Sequence, residues 1–306
     1  MRNQASGFLL LITLAAIWGG SFLFIKIGLG SITPLTIAAS RIGLAAIVLF
    51  AVLRFNGHTL PPAGRHWIFI VSAALLGNVL PFSLISFGER HIDSSLAAIL
   101  MSTIPLFTIL IAHFITSDER LTAEKVIGVS IGFVGVVILF GPTALLELGK
   151  QTIGQLLVAC GALCYALSGI LSRNLRDLPK LQSSTAILLV ASLFIVPTAL
   201  VFDQPWNLNP EASAIGAIMV LGLLSTAAAQ IIVLRILQLH DASFLSLNNY
   251  LVPLFGVFWG MLVLAERLRP NAGTAFFVIL AGVFVSQGGF LKLVGARNKK
   301  TAKRDL

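Results

Sequence analysis

Ten stretches of roughly twenty apolar residues follow one another along the chain, with only short polar turns between them. They fall at about 7–28, 33–53, 67–87, 95–115, 123–142, 152–172, 184–203, 212–234, 243–265 and 271–291. A helix rises about 1.5 Å per residue, so each stretch is long enough to cross a hydrocarbon core ~30 Å thick. Lipid offers no partner for backbone N–H and C=O groups, which leaves helix as the conformation for such segments. Charged residues make up 11% of the 306 positions, against about 25% in a soluble domain. Nothing remains from which a sizeable soluble domain could be built. The expectation is an all-α membrane protein with ten transmembrane helices. The first stretch, Gly7 to Leu29, exceeds the roughly 7–15 residues of a signal-peptide core and reads as a retained span.

Lys and Arg concentrate in cytoplasmic loops. With the N-terminus inside, fifteen of the 21 basic residues fall in inside segments, while only Arg90, Lys150, Arg267 and Arg269 fall outside. Lys26 and Arg41 lie within spans. Both termini are therefore expected to be cytoplasmic. The net charge of +9 then reflects topology plus a basic tail, 295–306, close to anionic lipid headgroups. It calls for no nucleic-acid partner.

The second half echoes the first. Pro105-Leu106-Phe107 leads to Glu119-Arg120-Leu121, and Pro253-Leu254-Phe255 leads to Glu266-Arg267-Leu268. His91-Ile92-Asp93-Ser94-Ser95 precedes the first copy, and His240-Asp241-Ala242-Ser243 the second. Trp18, Ser21 and Lys26 match Tyr165, Ser168 and Arg173 at a constant offset of 147. The chain divides into a first repeat, 1–146, a second, 147–294, and the tail 295–306. Five spans per copy is an odd number, so the second copy is expected to be inverted in the membrane. Inverted repeats are a plan of secondary transporters, with the substrate near the midplane where the halves meet.

Polar and helix-breaking residues at depth mark the candidate site. Pro105 and Pro253 fall mid-span in matching helices, and each removes a backbone donor that only protein or water can compensate. Either is a pointer to a site or a packing kink. Trp18 stands far from the interfacial belt, followed by Gly19, Gly20 and Ser21. Tyr165 and Ser168 mirror it on the sixth span. Asn78, Ser102 and Thr103, Gln230, and Asn248, Asn249 and Tyr250 complete the set. Each singly is either an interhelical hydrogen bond or a ligand contact; together they describe an amphipathic pocket for a small molecule. Arg41 reads two ways: a counter-ion for a carboxylate substrate, or an arginine satisfied by helix carbonyls or snorkelling outward. Lys26 reads as snorkelling.

All twelve carboxylates lie in loops or at span ends, and proton relays in pumps use intramembrane acids or histidines. A facilitated or weakly coupled carrier is therefore expected. Gly128, Gly132 and Gly135 form a small-residue face on the fifth span, answered by Gly282 and Gly288-Gly289 on the tenth. That face suits close packing within one monomer or a dimer contact. Cys160 and Cys164, one helical turn apart, read as small apolar fillers. No phosphate loop, nucleophile elbow, metal-ligand spacing or nucleotide fingerprint occurs in the loops. No enzyme, no cofactor and no metal site are expected.

Ten spans in a five-plus-five plan, Trp18-Gly19-Gly20-Ser21-Phe22, and the paired proline and Glu-Arg-Leu turn resemble EamA-type members of the drug/metabolite transporter superfamily. The resemblance covers roughly 7–291, and Trp18, Ser21, Pro105 and Pro253 match the family's pattern, whereas Tyr165 departs from the tryptophan of its mate. It implies export of small metabolites, amino acids or drugs by alternating access through a central cavity. It also implies a bacterial inner membrane. The alternatives are an importer or carrier of anionic or phosphorylated solutes, and a lipid-handling membrane subunit. The implied partners are a small-molecule substrate and the lipid bilayer, in a monomer or homodimer.

Overall fold

A computed structural model describes residues 2–115, 122–140, 150–240, 242–268 and 270–286. The Glu119-Arg120-Leu121 turn, Asp241, Gly288-Gly289 and the basic tail 295–306 lie outside the described residues.

All the regular structure among the described residues is helical, without strands. Eight helical segments are long and apolar enough to cross a membrane. The first is Ser6–Gly28, within helix α1 (Arg2–Gly28), and the second is α2 (Pro34–Phe55). The third, His66–Glu89, comprises α3 (His66–Ala74), a π-helical stretch Leu75–Val79 and α4 (Leu80–Glu89). Ser94–Ile115 holds α5 (Ser94–Met101) and α6 (Ile104–Ile115). The fifth apolar run appears as the 18-residue α7 (Ala123–Phe140). Beyond it come α8 (Lys150–Leu171) and α9 (Lys180–Phe202). Ala212–Leu239 contains α10 (Ala212–Met219), a second π-helical stretch Val220–Ala228 and α11 (Ala229–Leu239). Finally, α12 (Ala242–Ser246) and α13 (Asn248–Leu264) form the ninth run, and the 17-residue α14 (Pro270–Ser286) is what is described of the tenth. Against the expected ten, eight such segments stand among the described residues, with Pro270–Ser286 a shorter apolar helix.

The two π-helical stretches occupy related places. Moving 75–79 along the chain by 147 gives 222–226, inside the second stretch. A π turn widens the helix and frees carbonyls from their usual partners, a feature concentrated at functional sites.

The strongest packing joins early helices to late ones: α1 to α13, α2 to α9, α4 to α8, and α7 to α14. Glycine permits the last of these. A Cβ on Gly128 would lie 2.6 Å from the Gly282 carbonyl oxygen, and one on Gly282 would lie 2.6 Å from that of Gly128. The small-residue face of α7 is thus used inside the monomer. Large apolar side chains such as Phe55, Phe114, Phe202 and Phe277 point outward instead, as expected where the neighbour is lipid.

Two residues expected at the water boundary are elsewhere. Lys26 does not snorkel: its Nζ donates to the carbonyl oxygens of Glu89 and Ile92, 2.7 Å from each. Those carbonyls lie on the last residue of α4 and just beyond it, where helix geometry leaves acceptors unpaired. Glu89 does stand at a helix end, yet it is completely buried.

Candidate functional site

A cavity of about 580 Å³ opens between the helices, a size that suits a small molecule. Its wall takes Trp18 and Ser21 from α1, Arg41 from α2 and Asn78 from the first π stretch. Tyr165 and Ser168 come from α8, Gln230 from α11, and Asn248, Asn249 and Pro253 from α13. Ten of the fourteen residues singled out in the sequence therefore meet around one space, although no two of these groups are close in sequence.

Arg41 is the dominant charge there. It is 3% exposed, and its Nε and Nη2 donate to the Thr226 hydroxyl at 3.3 and 3.2 Å. Thr226 in turn donates to the Leu221 carbonyl at 2.8 Å, a bond five residues back that the π turn makes possible. The guanidinium carbon lies 3.8 Å above the Phe82 ring centre, a cation–π contact. Phe82 is propped edge-on by Tyr165 at 6.3 Å. Arg41 neither snorkels nor spends itself on helix carbonyls; it is held as a cation in the cavity wall.

Other polar groups divide into committed and uncommitted. Ser21 donates to the Trp18 carbonyl at 2.6 Å, Asn78 to that of Ala73 at 3.3 Å, and Gln230 to the Ser184 hydroxyl at 2.9 Å. Both side-chain polar atoms of Asn248, and the Ser225 hydroxyl, are buried without a hydrogen-bond partner. Such groups cost about 1–3 kcal/mol each when left unpaired, which makes them candidates to meet a solute.

Four of the singled-out residues are not on the wall. Ser102 and Thr103 are buried and donate to the Ile99 and Leu100 carbonyls at 2.6 and 2.7 Å, closing the end of α5. Pro105 is the second residue of α6, where a missing N–H costs nothing. The break thus comes before the proline, and the matching Pro253, inside α13, plays a different part. Tyr250 packs against the hydrophobic core.

Phe82, Ser225 and Thr226 were not singled out in the sequence. The adjacent hydroxyls of Ser225 and Thr226 in an apolar run were the available signal; Phe82 gave none, being one of 21 phenylalanines. A second missed feature lies at one end of the bundle. One oxygen of Glu266 accepts from the backbone N–H and hydroxyl of Ser94 at 2.9 and 2.8 Å. The other accepts from the N–H of Ser95 at 2.9 Å and from its hydroxyl. The carboxylate caps the first turn of α5 from another part of the chain. Burial alone would raise its pKa, but these four donors outweigh burial and hold it below the usual carboxylate value.

The EamA-like transporter family matches residues 5–141 and again 152–287. The chain belongs to this family. It is 24% identical to the uncharacterized transporter YoaV of Bacillus subtilis, covering 90% of this chain and 94% of that protein. The uncharacterized inner membrane transporter YedA of Escherichia coli K12 is 25% identical, with 92% and 90% covered. An S-adenosylmethionine/S-adenosylhomocysteine transporter of Chlamydia trachomatis is 29% identical, with 84% and 81% covered. A solved crystal structure shares the fold at a TM-score of 0.64 and 19% identity, over 92% of this chain and 97% of that one. This EamA-like chain is a multi-pass membrane transporter.

Proposed function

We propose that this EamA-like protein exports small metabolites, amino acids or drugs across the inner membrane by alternating access through the cavity around Arg41. In this reading the chain crosses ten times as two inverted five-helix repeats, 1–146 and 147–294, with both termini cytoplasmic and no cofactor. The observation that carries it is a cavity whose wall takes polar groups from both halves. The two family matches and the π-helical stretches one repeat apart support two halves able to exchange roles. The apolar and aromatic part of the wall suits an amphipathic solute. A relative that carries S-adenosylmethionine extends the range of solutes to be tried.

Arg41 favours a second reading, a carrier of anionic solutes, because a cavity cation without a contacting carboxylate attracts negative charge. One experiment covers both. Proteoliposomes are assayed for flux of radiolabelled amino acids, S-adenosylmethionine and phosphorylated metabolites, in each direction. Saturable movement of one of them is expected, and absence of movement for the whole panel sinks the transporter reading.

A further inference from the structure

Glu89 lies in the closed layer between the cavity and the Glu266 clasp. Ile85, one helical turn earlier on α4, lines the cavity, and so does Ile25, the neighbour of Lys26. On the other side, the short loop after Glu89 leads to Ser94 and Ser95, which Glu266 holds. The Glu89 side chain is 0% exposed, and neither carboxyl oxygen accepts a hydrogen bond.

The surroundings are short of compensation. The charged groups facing Glu89 are Lys26 from α1, Arg41 from α2 and Glu266 from beyond α13. Lys26 directs its Nζ to two carbonyl oxygens, one of them that of Glu89 itself. Arg41 is engaged with Thr226 and Phe82, and Glu266 carries like charge. On α8, Gly154 and Val158 pack against Gly88, the residue before Glu89, and neither carries a charge. An ionised carboxylate sealed without donors is far more costly than the neutral acid. Release of the clasp would free the loop that joins Glu89 to Ser94, which is the route by which water would reach the carboxyl.

We infer that Glu89 is a proton-binding site, loaded when this layer opens and unloaded towards the cavity one helical turn away while the layer is closed, so that solute export is coupled to proton entry. This rests on the transporter reading above, and it replaces the weak coupling expected from the sequence. The balance is simple: one proton is bound from one side and released to the other for each solute moved the opposite way, with no bond made or broken in the solute.

The test uses the proteoliposomes above, loaded with a pH-sensitive dye, with whichever radiolabelled solute of the panel moves. Wild type is expected to move protons with the solute and to hold a concentration ratio of about tenfold per pH unit for one-to-one exchange. Glu89→Gln is expected to let the solute equilibrate, without proton movement and with the ratio reduced to one. Solute movement without protons in wild type overturns the inference and leaves the transporter reading intact. Retention of the ratio by Glu89→Gln overturns it too. A second measurement needs no solute: infrared spectroscopy of the purified protein at neutral pH. A protonated-carboxyl C=O band present in wild type, shifted in Glu89→Asp and lost in Glu89→Gln supports the site, and its absence from wild type refutes it.

Discussion

Glu266 binds Ser95 through both the backbone N–H and the hydroxyl of that serine, across 171 positions of sequence. With the matching pair of bonds to Ser94, one carboxylate satisfies donors at the start of α5 that the helix leaves open. A negative charge at a helix N-terminus also meets the favourable end of the macrodipole. Asp93, at the N-cap position, makes no side-chain capping bond of its own, so the cap is supplied by the other half of the chain. Gly260 leaves room for it, since a Cβ there would run into Glu266 and Ser95.

The pH dependence of stability follows. Glu266 is held below the ordinary carboxylate value of about 4.3. Its contribution is therefore fully present above that value and is lost as pH falls through the lower, folded-state value. In thermal unfolding of detergent-solubilised protein, Glu266→Gln is expected to melt earlier than wild type at pH 7. The cost is about 0.5–2 kcal/mol, as for loss of a helix cap. The two melting temperatures should converge only once the pH has fallen below that lower, folded-state value. A constant gap across the acid range would mean that the carboxylate charge contributes nothing.

How far such contacts can be read from sequence depends on their range. The helices were legible because lipid forces one conformation on any long apolar run. Trp18, Asn78, Gln230 and Asn249 were legible because a polar or bulky residue at depth has few other uses. Pro105 does stand at a break in its span, but spacing does not separate a proline inside a helix from one starting a new helix; Ser102 and Thr103 decide that by closing α5. Glu89 and Glu266 both stood at span ends in the sequence. What distinguishes them is the company of residues more than sixty and 170 positions away, which no local pattern encodes.

Arg41 and Thr226 give a second prediction. Thr226→Val removes the one hydroxyl that the guanidinium reaches in the wall and leaves buried donors unpaired, at a cost of about 1–3 kcal/mol. Arg41→Lys keeps the charge but loses the planar stacking on Phe82. If the Arg41 cation anchors a solute, Arg41→Lys should lower flux about tenfold or more, at unchanged expression. Flux equal to wild type in Arg41→Lys would restrict Arg41 to a packing role.

A third concerns the contact between α7 and α14. Gly128→Ala and Gly282→Ala each place a methyl group against the opposing backbone, 2.6 Å from a carbonyl oxygen. The helices must separate, and overpacking of this kind costs about 1–3 kcal/mol. Gly273→Ala, on the same helix α14 with open space around it, should be neutral or slightly stabilising, since alanine is the better helix former. Thermal melting of the three variants checks this, and equal melting temperatures would show that the crossing is loose enough to absorb a methyl group.

The last prediction separates residues on the cavity wall from buried polar residues that only close a helix. Trp18 and Asn249 line the cavity, whereas Ser102 bonds its own helix and Cys160 is exposed on α8. Trp18→Ala removes a large aromatic wall, and Asn249→Ala removes an amide from the cavity lining. Either should lower flux severalfold. Ser102→Ala and Cys160→Ala should leave flux within about twofold of wild type, because surface and helix-closing substitutions shift stability by only about 0.5–1.5 kcal/mol. The comparison needs all four variants at matched amounts of folded protein in the liposome. If Ser102→Ala impairs flux as much as Trp18→Ala, the solute path runs through the break between α5 and α6, and the wall described here is not its route.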